Sequence, residues 1–135
     1  MTNQPPSDRH LALKVVMMPR DTNPHGTIFG GVILSYIDQA GAVGAYYAIR
    51  QSGSGKKPIV TVGMKSVEFH RPVFVGDVLS FWTKLVRVGT TSITIHVEVE
   101  AERDGQPEKL TEAEVSYVAV ELKEDTRLPV PIKDE

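Results

Sequence analysis

No cysteine occurs among the 135 residues, which removes disulfides, thiolate nucleophiles and cysteine-based zinc sites together. That absence fits a reducing compartment, and a cytoplasmic location is expected. Charge of one sign is also lacking: 15 Lys and Arg against 17 Asp and Glu leave a net charge of -2, so no basic field exists to attract a nucleic-acid backbone. The first ten residues, MTNQPPSDRH, lack the charged-then-apolar pattern of a signal segment and read as a flexible leader, 1–10. No Gly-x-Ser-x-Gly elbow surrounds any serine, and Gly53, Ser54 and Gly55 do not complete a phosphate loop. The four histidines, His10, His25, His70 and His96, show no paired ligand spacing, so no metal is expected. There are no internal repeats.

Only one long apolar run is present, IFGGVILSYIDQAGAVGAYYAI from Ile28 to Ile49. Four glycines, a central Asp38 and the adjacent Gln39 argue against a membrane span, as does a mean hydropathy of -0.14. The run reads as a helix buried on nearly all sides, packed closely against other backbone through Ala40, Gly41, Ala42, Gly44 and Ala45. Asp38 is its single ionisable acid or base. Desolvating an isolated carboxylate costs several kcal/mol unless it is paired or hydrogen-bonded, so Asp38 is the first candidate for an acid, base or nucleophile. A carboxylate satisfied by Ser35 or Gln39 is the competing structural reading.

Around the helix the pattern changes. Leu11 to Met18 is a short strand broken by Pro19, and the turn-rich RDTNPHG leads into the helix. From Ile59 the period becomes two: Ile59 to Phe69, Val78 to Val88, Ser92 to Ala101 and Leu110 to Leu122 read as strands, joined by turn chemistry at hairpin spacing. Ile93, Ile95, Val97 and Val99 alternate with Thr94, His96, Glu98 and Glu100, giving one buried face and one wet face. Four consecutive strands predict an antiparallel meander, and the tail DTRLPVPIKDE a solvated extension. The fold class is therefore α+β, one domain over 11–122 with a C-terminal extension over 123–135. A five-stranded sheet covers only part of a helix this apolar, which predicts a second copy as the remaining cover.

Two further features sit beside the helix. Asn23, in the preceding loop, carries an amide able to orient a water or a carbonyl, although Asn before Pro is by default a turn residue. Gly30 and Gly31 open the helix, where backbone N–H groups and the dipole favour developing negative charge. Asp21-Thr22-Asn23-Pro24-His25 is superficially similar to the Asp-x-Asn-Pro-x-His signature of enoyl-CoA hydratases, but lacks one residue between Pro24 and His25.

The stretch from Met18 through Asp21-Thr22-Asn23-Pro24-His25-Gly26-Thr27-Ile28-Phe29-Gly30-Gly31 to Ser35-Tyr36-Ile37-Asp38 resembles the hotdog-fold acyl-CoA thioesterases, of the bacterial YciA type and the mammalian brain acyl-CoA hydrolase. Val60-Thr61-Val62, Phe69-His70-Arg71-Pro72, Val75-Gly76-Asp77 and Val88-Gly89-Thr90-Thr91-Ser92 resemble later landmarks in the same order. The resemblance spans Leu11 to Val120. It implies a five-stranded antiparallel sheet wrapped around one long central helix, homodimers sharing a continuous sheet, and a trimer of dimers. It further implies hydrolysis of acyl-CoA to free fatty acid and CoA, no separate cofactor, and a catalytic pair of Asn23 and Asp38 drawn from opposite subunits. Thr27 departs from the acidic or amide residue of the relatives. Gly30 and Gly31 fall where an oxyanion is held. Lys65, Arg71 and Arg87, with the turn Gly89, Thr90, Thr91 and Ser92, are the groups available to the CoA phosphates. An enoyl-CoA hydratase and a non-catalytic acyl-CoA sensor are the alternatives on the same fold.

Overall fold

The structure, a computed structural model, describes residues 8–134. Strand β1 (His10–Val16) is followed by a short 3-10 turn (Pro19–Asp21) and by helix α1 (Gly30–Gln51). Strands β2 (Ile59–Phe69), β3 (Val78–Val88), β4 (Ser92–Arg103), β5 (Gln106–Lys123) and β6 (Thr126–Pro129) complete the chain. Of the expected leader, residues 1–7 lie outside the described residues. Arg9 pairs with Glu98 and Glu100, and His10 already belongs to β1, so the ordered domain starts earlier than 11.

All pairings are antiparallel, in the order β1-β3-β4-β5-β2, with β6 added along the end of β5. The expected four-strand meander is corrected. Only β3, β4 and β5 follow one another; β2 crosses to the far side of β5, and β1 takes the place beside β3. Period-two alternation marks strands but says nothing of which neighbour each chooses. The 8-residue link between β2 and β3 (70–77) is long enough to carry the chain across the sheet.

The helix lies against the sheet face formed by the alternate residues Leu79, Phe81, Ile93, Ile95, Val97, Val99, Ala113, Val115 and Tyr117, all buried. Ile33, Ile37, Ala40, Ala45 and Ile49 point into this face. Two glycines let the helix come close. A Cβ on Gly44 would lie 2.6 Å from Thr83, and one on Gly41 would collide with the hydroxyl of Tyr117. The helix is not enclosed on all sides, however: Gly31, Ser35, Gln39 and Val43 form an exposed stripe at every fourth position. Among the described residues no helix is long and apolar enough to cross a membrane.

The tail is a second correction. Ile132 is 2 % exposed, Val130 and Ile132 donate backbone hydrogen bonds to Ala119 and Thr90, and Asp134 bridges Lys57 at 2.6 Å. The prolines and charges of DTRLPVPIKDE suggested solvation, but one apolar side chain seats the segment against the end of the core.

Candidate active site

Asp38 stands just over two turns into α1, half-buried at the border of the exposed stripe. Its Oδ1 accepts a hydrogen bond from Thr61 Oγ1 at 2.7 Å and faces the Tyr117 hydroxyl at 3.2 Å. The same hydroxyl donates to the Asp38 main-chain carbonyl at 2.7 Å. Tyr117 is 1 % exposed, and burial, then the adjacent Asp38 carboxylate, push its phenol well above the ordinary tyrosine range. It therefore stays a donor. Among the described residues Oδ2 accepts no hydrogen bond, so one carboxylate oxygen is fixed by two donors while the other is uncommitted.

Asn23 occupies a closed loop. Its Oδ1 accepts from the N–H of His25 at 2.8 Å and of Thr27 at 3.2 Å, and its Nδ2 donates to Thr27 Oγ1 at 2.7 Å. Main-chain bonds from Phe29 to Asp21 and from Ile28 to Val73 tie this loop to the helix start. Gly26, with φ at +88°, makes the tight return that glycine alone enters freely. The turn reading of Asn23 thus holds within the chain, and one of its two amide hydrogens remains outside these bonds.

Gly30 and Gly31 open the helix as expected, with Phe29 as the residue before it. The first four N–H groups of a helix have no intrahelical acceptor. Close packing does not demand glycine at either position, since an added Cβ would meet aromatic rings at an ordinary 3.5 and 3.4 Å. Gly31 and Asp38 share a helix face, but seven residues separate them by about 10 Å along the axis. No hydrogen bond among those of the described residues joins Asn23 to Asp38.

The geometry isolates a single carboxylate with fixed orientation beside an uncovered helix stripe and an edge strand, near a small hollow at the helix start that includes Gly30, Ile33, Phe69 and Val73. A model of the thioesterase superfamily matches residues 25–108. The chain belongs to this superfamily. The acyl-CoA thioester hydrolase YciA of Salmonella typhimurium is 40% identical over 138 positions, covering 98% of this chain and 97% of that protein. A hexameric hotdog-fold thioesterase of Campylobacter jejuni is 42% identical, with a TM-score of 0.72 over 89% of each chain. An acyl-CoA hydrolase from Staphylococcus aureus, solved with butyryl-CoA, CoA and CoA disulfide, is 25% identical with a TM-score of 0.73, covering 92% of this chain and 72% of that one. Mutants of that hydrolase replace an aspartate, a threonine and an asparagine with alanine.

This thioesterase has the hotdog fold, and its candidate CoA contacts fall at two ends of the molecule. Arg71, paired with Glu108 at 2.8 Å, lines the hollow at the helix start. Lys65 is 72% exposed on β2 and 3.8 Å from Glu114. The turn Gly89 to Ser92 lies instead by the far end of the helix, where Val88, Ile93, Ile49 and Ile132 converge, and Arg87 leads into it. The helix spans 22 residues, about 33 Å, so the seven residues do not surround one phosphate within a chain. Two residues of the carboxylate cluster escaped the sequence reading: Thr61, quoted only as a strand landmark, and Tyr117. Both lie on strands where Thr and Tyr are ordinary.

Proposed function

We propose that the protein hydrolyses acyl-CoA thioesters, with Asp38 as the carboxylate that either activates water or attacks the thioester carbonyl. The observation that carries this reading is the asymmetry of that carboxylate, Oδ1 held by Thr61 and Tyr117 and Oδ2 open. As general base, Oδ2 takes a proton from water while the water oxygen adds to the carbonyl carbon. The resulting oxyanion collapses, the C–S bond breaks, and CoA leaves as a thiolate, which needs little help from an acid because an ordinary thiol ionises near a pKa of about 8.5. As nucleophile, Oδ2 expels the thiolate directly, and water then cleaves the mixed anhydride. The aspartate and asparagine altered in the Staphylococcus aureus hydrolase support assigning Asp38 and Asn23 to one site. Its aspartate and asparagine are spaced as Asp38 and Asn23 are here.

Such a site needs two chains. The oxyanion donors at Gly30 and Gly31 lie about 10 Å along the axis from the carboxylate of the same helix, too far to act on one carbonyl. The uncovered stripe of α1 and the exposed edge strand β2, whose Val62 is 59% exposed, offer the surface on which a second copy supplies its own helix start and Asn23. The hexameric relatives support a homodimer assembled as a trimer of dimers. Across that interface, Lys65 and Arg71 of one subunit and Arg87 of the other supply the cationic groups for the CoA phosphates, and the Gly89 to Ser92 turn adds backbone N–H donors.

The test is release of free thiol from a panel of acyl-CoAs, acetyl to palmitoyl, by wild type and by Asp38→Asn. The amide is nearly isosteric but is neither base nor nucleophile, so turnover should fall by about 10²–10⁴-fold with folding intact. An Asp38→Asn enzyme that turns over normally refutes the assignment, and loss of an enoyl-CoA without thiol release identifies a hydratase instead.

A further inference from the structure

The face of the sheet turned away from the helix carries polar side chains that the hydrolytic site does not use. On β4, His96 and Glu98 alternate with buried Ile95, Val97 and Val99; on β5, Glu112 alternates with buried Thr111 and Ala113. The register sets Glu98 directly opposite Glu112, and His96 is two residues from Glu98 on the same face. We infer that His96, Glu98 and Glu112 form a binding site for a zinc-type divalent cation on this outer face.

The distances carry the inference. His96 Nε2 lies 3.2 Å from Glu112 Oε1 and 4.0 Å from Glu98 Oε2. Around tetrahedral zinc, bonds of about 2.0–2.1 Å place ligand atoms roughly 3.3 Å apart, so a small rotation of Glu98 completes three ligands, with water as the fourth. One imidazole nitrogen with two carboxylate oxygens is a donor set for zinc rather than for magnesium, which takes oxygen donors and keeps its waters. The three side chains are half-buried on adjacent paired strands, which fixes their spacing before any ion arrives.

A cation already marks the place. The Lys109 ammonium is 3.0 Å from Glu98 Oε2 and 3.5 Å from Glu112 Oε2, on a side chain 41% exposed that is free to swing into water. Glu98 Oε1 is taken by Arg9 at 3.2 Å, which turns Oε2 toward the site. His70 Nε2 holds Glu112 Oε2 at 2.6 Å, an orienting partner of the kind that positions metal-ligating carboxylates. Two carboxylates and one imidazole are donors that a zinc-type divalent ion takes. The neighbouring group Glu68, His70 and Glu112 is the weaker arrangement because Glu68 and His70 are exposed.

The experiment is calorimetric titration of zinc chloride into the intact, assembled protein in chelator-free buffer, with melting followed in parallel. One ion per chain should bind at micromolar concentration and raise Tm, while magnesium chloride gives neither effect. His96→Ala and Glu112→Gln should each weaken zinc by at least tenfold, and Lys109→Gln, by removing the competing ammonium, should tighten it several-fold. Circular dichroism confirms that each variant is folded; if Glu112→Gln is not, Glu98→Gln is read in its place. Absence of saturable zinc binding overturns the proposal, as does binding indifferent to His96→Ala, binding lost instead with His70→Ala, or binding weakened by Lys109→Gln.

Discussion

Replacing Tyr117 by Phe removes one oxygen atom from the described fold, and the structure says what that atom does. The phenol is buried, its ring fills the space above Gly41, and its single hydrogen serves the Asp38 carbonyl at 2.7 Å and Oδ1 at 3.2 Å. A phenyl ring keeps the packing. The Asp38 carbonyl also retains its helical partner four residues on, so no acceptor is orphaned and the loss is one net hydrogen bond, about 1 kcal/mol. For a domain of this size that corresponds to a fall in Tm of roughly 3–5 °C, compared at fixed protein concentration because assembly contributes to stability. Oδ1 keeps Thr61 as its donor but is less firmly oriented. Thiol release should therefore drop about tenfold in kcat, the equivalent of about 1.4 kcal/mol, with KM little changed, as expected of a residue that positions the carboxylate without touching substrate.

The same variant has a signature in alkali. Burial and the neighbouring carboxylate raise the folded-state pKa of Tyr117 above that of the unfolded chain. A group with a raised folded pKa adds stability that is fully present below its unfolded value, about 10 for tyrosine, and drains away as pH rises beyond it. Wild type should lose this contribution above about pH 10, whereas Tyr117→Phe has no such proton to lose. Thermal melts at about pH 8 and about pH 11 should show the gap between the two proteins narrowing or reversing. A gap constant across that range, or a variant with wild-type kcat, refutes the role given to this hydroxyl.

Gly41→Ala should destabilise the protein by about 1–3 kcal/mol and lower turnover, because its Cβ collides with the Tyr117 hydroxyl; in the Tyr117→Phe background the penalty should shrink, a coupling that denaturant titration of all four proteins measures. Ile132→Ala should cost about 2–3 kcal/mol if the tail is docked as described, and a loss within a few tenths would return the tail to a solvated strand. Mixing inactive Asn23→Ala with inactive Asp38→Ala under subunit-exchanging conditions should restore activity, since a shared site leaves one intact copy in each heterodimer. Heterodimers confirmed by mass yet inactive would rule out the shared site.

How much of this was legible in the chain depends on the range of the contact that matters. The helix and the strands announce themselves through local periodicity, and Asp38 stands out because nothing ionisable surrounds it in sequence. Its partners do not: Thr61 and Tyr117 are 23 and 79 residues away, and each is an ordinary strand residue until the β2–β5 and β4–β5 registers bring it beneath the helix. The same limit hid the outer-face cluster, where spacing along the chain offers no histidine pair but the register sets Glu98 opposite Glu112, with His96 two residues away on the same face. Strand order failed for a related reason, since β2 has the pattern of any half-buried strand and its place beside β5 is decided by a crossover.

The overestimate of the helix's burial has a different cause. Gly31, Ser35 and Val43 are small or apolar and Gln39 is the one strongly polar member, so hydropathy does not distinguish this stripe from one packed against the chain's own sheet. The first kind of packing is set by Gly41 and Gly44, where Tyr117 and Thr83 leave no room for a methyl group. The second lacks any such close neighbour in the chain, while Asp38 and Thr61 sit at its border with the edge strand β2. Under the proposed assembly one event accounts for the uncovered stripe, the unpaired edge of β2 and the distance between Asp38 and the helix start: a second copy covers the stripe, extends the sheet and brings its own helix start to Asp38, the arrangement that the subunit-mixing experiment tests.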